Sequence, residues 1–129
     1  MMLVEARVLG RSRAVVEPHE FAYEPRERVP LRQLIADVVR GEVGSALDKV
    51  RLRKFLRVLA ADHADQSGSD LDAAGGVDVD EVVRCALEGF AHGFYYVFIG
   101  EKQYEDLDQS VRIEGTTRMR FVRLVPLAD

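Results

Sequence analysis

The side chains with the most obvious chemical potential in this chain are one cysteine and three histidines. They are Cys85, His19, His63 and His92. A thiol becomes a nucleophile when a neighbouring base or cation lowers its pKa, and imidazoles bind metals when they recur at short spacings. No HxxxH, CxxC or HExxH spacing occurs, so the sequence predicts no metal site, no cofactor and no catalytic residue. Cys85 with His92 is the one loosely suggestive pair for an enzyme.

An acidic, glycine-containing stretch, DQSGSDLDAAGGVDVDE, covers residues 65–81 and invites a calcium interpretation. Its carboxylates do not fall in the register of an EF-hand loop, which needs D-x-[DN]-x-[DN]-G and a distal Glu. Gly75-Gly76 precedes a helical pattern but follows no strand, so a dinucleotide-binding fingerprint is excluded as well. The stretch is therefore interpreted as a solvated loop that leads into a helix cap.

Length, composition and charge place the chain among ordinary globular domains. Its 129 residues fit one domain, and 47% apolar residues are enough for a core. A formal net charge of -4 argues against broad binding to a phosphate backbone, so a nucleic acid is an unlikely class of partner. The lone cysteine, the absence of a signal-peptide pattern and the absence of a long apolar run favour a cytoplasmic protein without a membrane partner.

The hydrophobic periodicity predicts the elements that must position any site. Period-2 alternation indicates a strand at Leu3–Leu9, an irregular strand from Ala14 to Tyr23 interrupted by Pro18, and a strand at Arg118–Val125. The aromatic and β-branched residues of FYYVFIG indicate another strand, and Val111–Ile113 is assigned to a short one. Helical spacing indicates a helix from Leu31 to Val39 with Gly41 as its stop, a helical segment from Gly44 to Ala64 with a break near Arg51-Leu52, and a helix from Asp78 to Phe90. Asp78 and Glu81 make a D-x-x-E start that caps this last helix, and Gly93 can end it. Pro30 is assigned to the first helical position.

This order predicts an α+β domain in which helices cover one face of a mixed sheet. The first and last strands are expected to pair in parallel, joined by the long crossover between them. The strand in FYYVFI is apolar throughout, with Tyr95, Val97 and Ile99 on one face and Phe94, Tyr96 and Phe98 on the other.

In the stretch VFIGEKQYED, a strand ends at Gly100, and after one added residue the chain continues Lys-Gln-apolar-Glu-Asp. This stretch resembles ubiquitin. The C-terminal LDQSVRIEGTTRMRFVRLVPL and the N-terminal LVEARVLGRSRAVVE, followed by the helix from Leu31, are also similar to the β-grasp family. The resemblance implies a single ubiquitin-like β-grasp domain over residues 1–129, in which a helix covers a mixed sheet and residues 42–92 form a helical insertion.

The resemblance also implies a function. Conjugating members of the family end in Gly-Gly, whereas the sequence ends Pro126-Leu127-Ala128-Asp129, which disfavours a covalent modifier or sulfur carrier. The favoured function is that of a noncovalent protein-binding or scaffolding module, with a partner protein or a second copy as its partner. An enzyme or enzyme subunit with a site between the sheet and the inserted helices is the alternative.

By the same resemblance, the docking patch is expected on the sheet face that the helices leave open. The residues assigned to it are Tyr95, Val97, Val122 and Leu124, with Arg120 at the margin. Arg118 and Arg120 are expected to share one strand face. The competing interpretation is that the inserted helices cover this face and make both sides of the sheet core, because their own apolar stripes need a surface to pack on.

Overall fold

The structure, a computed structural model, describes residues 2–10, 12–44, 49–59 and 78–123. Seven strands and three helices occur in this part of the chain. The strands are β1 (Met2–Val8), β2 (Val16–Phe21), β3 (Arg26–Pro30), β4 (Tyr95–Ile99), β5 (Lys102–Tyr104), β6 (Ser110–Ile113) and β7 (Arg118–Arg123). The helices are α1 (Leu31–Gly44), α2 (Lys49–Leu59) and α3 (Val79–Ala91).

Five of the strands form one mixed sheet in the order β2-β1-β7-β4-β5. β1 and β7 pair in parallel, in register from Leu3 with Arg118 to Val8 with Arg123. The other neighbouring strands pair in antiparallel fashion, and β3 with β6 makes a separate two-stranded sheet. The predictions of an α+β domain with a mixed sheet, and of parallel pairing between the first and last strands, are confirmed.

Two strands lie where only loops were expected. β3 occupies a charged segment in which Val29 alone is buried, and its last residue is Pro30, so α1 begins one residue after the predicted start. β5 is a three-residue strand in the polar stretch after Gly100. Gly100 has a φ of 63°, which confirms its predicted role in the turn. Both strands escape prediction because exposed, charged edge strands lack the period-2 pattern.

The predicted apolar stripe of α1 is buried as expected, but the predicted end of the helix is wrong. α1 continues through Gly41 to Gly44. A Cβ on Gly41 would overlap the ring of Phe21, so this glycine leaves space for β2 to pack against the helix. Gly41 therefore serves a close approach between two elements, and it does not mark a helix stop.

The other two helices also depart only in detail from their predicted forms. α2 runs without interruption past Arg51-Leu52, so the expected break is absent. At α3, the side chain of Asp78 accepts a hydrogen bond from the backbone N–H of Glu81 at 3.2 Å, which confirms the predicted N-cap. Gly93 follows the helix with a φ of 75°, in agreement with its predicted place after the helix end.

All three helices pack on the same face of the five-stranded sheet. The ring of Phe55 from α2 meets Phe121 of β7 edge-on, with 5.2 Å between centroids. Phe121 also contacts Tyr95, whose hydroxyl donates to the carbonyl of Ala86 in α3 at 2.5 Å. α1 reaches the sheet through the contact of Gly41 with Phe21. The hydrophobic core is therefore one layer between this sheet face and the helices.

Polar groups join the helices to the sheet at two buried points. The carboxylate of Glu42 in α1 pairs with the imidazole of His19 in β2, and with the guanidinium of Arg51 in α2 at 3.5 Å. Arg123 of β7 is buried, and its guanidinium donates to the carbonyl of Arg57 at the end of α2 at 3.0 Å. Each buried group is thereby hydrogen-bonded across an interface between elements. In the described part of the chain, no helix is long and apolar enough to cross a membrane.

The packing of α3 against α2 generates a stability prediction. A Cβ on Gly89 would overlap the backbone carbonyl oxygen of Leu59, an atom that cannot rotate away, so Gly89→Ala is expected to destabilise the fold by about 1–3 kcal/mol. Gly44→Ala, also in a helix but with open space around the added atom, is the matched control and should be neutral or stabilising. Urea unfolding measures both. Equal stability of the two variants would contradict the close approach of the helices.

Candidate protein-binding face of the sheet

The strand registers assign every side chain of the sheet to one of two faces. One face is buried under the helices. The other, which we call the open face, is formed on the four strands from β1 to β5 by Leu3, Glu5, Arg7, Arg118, Arg120, Val122, Tyr96, Phe98 and Gln103. Glu20 of the edge strand β2, paired with Leu3, extends it. Arg118 and Arg120 share this face, as predicted.

Cross-strand pairing arranges the open face in three rows. In the first row, Val122 stands between Arg7 and Tyr96. In the second row, Arg120 stands between Glu5 and Phe98, and Gln103 follows Phe98. In the third row, Arg118 stands beside Leu3. The face thus combines an apolar corner on β4 and β7 with arginines on β7 and β1.

Apolar side chains are accessible on this face. Leu3 is 37% exposed and Tyr96 is 38% exposed, while Phe98 and Val122 are half-buried. The helices contact the sheet through its other face, so the interpretation in which the inserted helices cover both faces is wrong for α2 and α3. Large apolar side chains on an uncovered sheet face are typical of contact sites for other molecules.

The structure divides the residues that the sequence assigned to the docking patch. Val122 and Arg120 lie on the open face, with Arg120 in its middle row instead of at its margin. Tyr95 and Val97 lie in the core, and both have 0% of their surface exposed. The prediction that they share a face with Val122 is therefore wrong. Leu124 lies outside the described residues. Whether any of these side chains binds a partner stays a prediction.

The error has a simple physical origin. Alternation along β4 separates Tyr95 and Val97 from Tyr96 and Phe98, but it does not say which pair faces the helices, because both are apolar. The register decides this, since Tyr96 is opposite Val122 and Val97 is opposite Phe121. A one-residue shift exchanges the two faces. Tyr96 and Phe98 are thus the open-face residues that sequence reasoning missed, and no signal within the strand could have found them, because Tyr95 carries the same hydroxyl as Tyr96 and Val97 is as apolar as Phe98.

A buried carboxylate organises the charges of the open face. Glu5 is only 2% exposed, although it points away from the helices. Its two oxygens pair with separate arginines, Oε2 with Arg7 at 3.2 Å and Oε1 with Arg118 at 3.2 Å. The two guanidiniums compensate the desolvation of this carboxylate. Both guanidiniums therefore lie across it in fixed positions.

Arg120 is held over the apolar corner. Its guanidinium lies above the ring of Phe98, 5.4 Å from the centroid, and donates to the carbonyl of Gly100 at 2.9 Å. A cation stacked on an aromatic ring keeps its in-plane N–H donors for an acceptor in the same plane. The Nε of Arg120 is buried without a hydrogen-bond partner, so any contact with a ligand would use the terminal nitrogens, which lie beside the half-buried side chains of Phe98 and Val122.

The candidate residues for covalent chemistry are not brought together. The thiol of Cys85 lies 4.0 Å from a carboxylate oxygen of Glu81, and burial together with the charge of Glu81 raises its pKa. His92 packs against Phe94, 5.6 Å between ring centroids, and lies seven residues from Cys85, a separation of about 10 Å along a helix axis. The thiol is therefore held protonated beside an acid, the opposite of an activated nucleophile.

His19 is also committed to structural contacts. Its Nδ1 is 3.0 Å from the carbonyl oxygen of Glu17, and its Nε2 contacts the carboxylate of Glu42. Because a carbonyl oxygen accepts only, Nδ1 is the donor in the first contact. Both ring nitrogens thus have protein partners, and His19 has no free nitrogen with which to bind a metal.

The two faces of β4 predict opposite effects of the same substitution. Val97→Asp places a carboxylate in the apolar core. Burial of this carboxylate is expected to cost several kcal/mol, which is comparable to the stability of a small domain, so most of the protein should unfold. Tyr96→Asp, on the neighbouring residue, should change the free energy of unfolding by about 1 kcal/mol or less. Circular dichroism during urea titration measures both. Unfolding by Tyr96→Asp with tolerance of Val97→Asp would reverse the assignment of the faces.

The site is thus a solvated sheet face that carries accessible apolar side chains and three arginines. Within residues 2–10, 12–44, 49–59 and 78–123, no group of three or more His, Cys, Asp or Glu side chains could hold a metal ion. No protein-family model, curated protein or solved structure matches the chain.

Proposed function

We propose that this chain is a ubiquitin-like β-grasp domain that binds a partner protein noncovalently through the open face of its sheet. The observation that carries the proposal is the open face itself, on which Tyr96, Phe98 and Val122 remain accessible beside Arg120. A sheet face of this composition, left uncovered by the helices that pack against its other side, favours docking over catalysis.

The strand order supports the β-grasp part of the proposal. An N-terminal hairpin, a helix that follows it, and a last strand inserted in parallel beside the first are the features on which the resemblance to ubiquitin depends. The order β2-β1-β7-β4-β5 and the position of α1 agree with them. In this view, α2 and α3 belong to the insertion between the covering helix and the next strand of the sheet.

The size of the open face indicates the strength of binding. Three rows of side chains over four strands span about 14 Å by about 14 Å of sheet, or about 200 Å². Stable complexes bury about 800 Å² on each partner. Contact through the open face alone is therefore expected to be weak and reversible, as suits a scaffolding or recruitment role.

The charges identify the kind of partner. Arg7, Arg118 and Arg120 face Glu5 and Glu20 on this surface, and Glu5 is already neutralised by two of the arginines. A complementary surface carries apolar side chains for the Tyr96 corner and a carboxylate for Arg120. A second copy fits less well, because a two-fold contact between open faces would bring their arginines together.

Affinity capture with matched variants tests this function. Wild type, Tyr96→Asp and Val50→Asp are immobilised and exposed to lysate of the source cells, and retained proteins are identified by mass spectrometry. Val50 is an exposed apolar residue of α2 outside the open face, so its variant controls for the added charge. We expect proteins that wild type and Val50→Asp retain, that Tyr96→Asp retains at least about tenfold less, and that moderate salt elutes.

Two results would contradict the proposal. Retention of the same proteins by all three forms would show that the open face is not the binding surface. Dimerisation in analytical ultracentrifugation that Tyr96→Asp abolishes would assign the face to a second copy of the chain and not to a partner protein.

A further inference from the structure

A second surface, separate from the open face, has the composition of a binding site. It is a groove of about 640 Å³ between the loop that joins β1 to β2 and the helix α2. We call it the loop groove. Its described lining consists of Gly10, Ser12, Arg13, Ala14, Val15, Lys54 and Arg57. Typical small-molecule sites have volumes of about 300–1,000 Å³, so the groove has the size to hold a small organic ligand.

The charge of the loop groove differs from that of the whole chain. The chain has a formal net charge of -4, yet Arg13, Lys54 and Arg57 contribute three cations to the groove and none of its described lining residues is acidic. The helix that forms one wall, KVRLRKFLRVL, contains five Lys or Arg residues and no Asp or Glu. A local cluster of one sign in an oppositely charged protein attracts ligands of the opposite charge.

Two of these cations are available to a ligand. Arg13 and Lys54 are exposed, and neither makes an ion pair with another described residue. They approach the groove from opposite walls, Arg13 from the loop and Lys54 from α2. On the loop wall, Ala14 and Val15 are half-buried and provide apolar surface. The groove therefore combines cationic walls with a partly apolar lining.

Hydrogen bonds to one residue hold both walls in place. The guanidinium of Arg123 donates to the carbonyls of Arg57 and Val58, at 3.0 and 3.5 Å, and so fixes the end of α2. The backbone carbonyl of the same Arg123 accepts the N–H of Leu9 at 2.9 Å, which fixes the start of the loop. A preformed site loses less entropy when a ligand binds than a site that must be ordered first.

The loop itself is tied down at two further points. Arg7 donates to the carbonyl of Ser12 at 3.2 Å, and the N–H of Val15 donates to the carbonyl of Ala6 at 2.8 Å. These bonds leave the side chains of Ser12 and Arg13 directed by a constrained backbone. These two hydrogen bonds hold the described residues of the loop wall against β1.

We propose that the loop groove binds a small organic ligand through its phosphate group. A phosphate presents several oxygens to donors that approach from different directions, whereas a carboxylate presents two in one plane. Cations on opposite walls suit the former. A long nucleic acid requires an extended basic stripe, and the acidic chain confines its positive surface to a groove of small-molecule size. This site is independent of partner binding by the open face.

Amide NMR during titration with inorganic pyrophosphate tests the proposal at constant ionic strength. We expect saturable shifts at Ser12, Val15 and Lys54, and a Kd weakened about tenfold or more in the double variant Arg13→Glu with Lys54→Glu. The control variant Lys102→Glu with Arg112→Glu makes the same charge change on β5 and β6, outside the groove, and should bind as wild type does.

Other outcomes of the same experiment are informative. Absence of saturable shifts in the groove, or equal weakening in the groove and control variants, would overturn the proposal. Sedimentation with phosphatidylcholine vesicles that contain phosphatidic acid distinguishes the source of the phosphate. Binding to pyrophosphate without vesicle binding supports a soluble ligand, and vesicle binding that requires Arg13 and Lys54 supports a lipid headgroup.

Discussion

Backbone hydrogen bonding between β1 and β7 is the interaction on which the remainder of the structure depends. It places the first and last described strands side by side at the centre of the sheet, in parallel and in register over six residue pairs. Parallel neighbours cannot be joined by a tight turn, so the chain between them must cross back over the sheet. The three helices lie in that crossing segment and supply the apolar surface under which one face is buried.

One-sided packing has consequences for both faces. On the covered face, the buried guanidinium of Arg123 in β7 donates hydrogen bonds to the carbonyls at the end of α2. This cation therefore caps the C-terminus of the helix. On the open face, Glu5 is buried only because Arg7 and Arg118 lie over it. The same two strands thus order the arginines of the proposed docking face and, through Arg123, the walls of the loop groove. Both proposed sites follow from the position of β7 beside β1.

Much of this fold could be predicted from the sequence because its strongest signals are local. The alternation of β1 and β7, the apolar stripe of α1 and the Asp78 cap of α3 are each legible within one short stretch of sequence, and the structure contains all of them. β3 and β5 could not be predicted, because an edge strand can be charged and its evidence lies in the strand it pairs with. Gly41 was misinterpreted for a similar reason. The helix requires a residue without a side chain at this position only because Phe21 of β2 packs against it.

The candidate site depended on information that the sequence does not carry. Val122 and Arg120 were placed on the correct side of β7, but the residues of β4 beside them are set by cross-strand register, and the apolar run FYYVFI permits either choice. The basic character of α2 was present in the sequence. Its position as one wall of the loop groove could not be predicted, because only the fold brings Lys54 and Arg13 to the same groove.

Nuclear Overhauser contacts in the intact chain test the central claim most directly, because they report both the β1–β7 pairing and the face of each side chain. We expect backbone contacts between Val4 and Met119 and between Ala6 and Phe121, with contacts from the Tyr96 ring to the Val122 methyl groups. We also expect that the Tyr95 ring contacts Phe121 and Phe90 on the other side of the sheet. Absence of the β1–β7 contacts, or a Tyr95 ring in contact with Val122, would contradict the account.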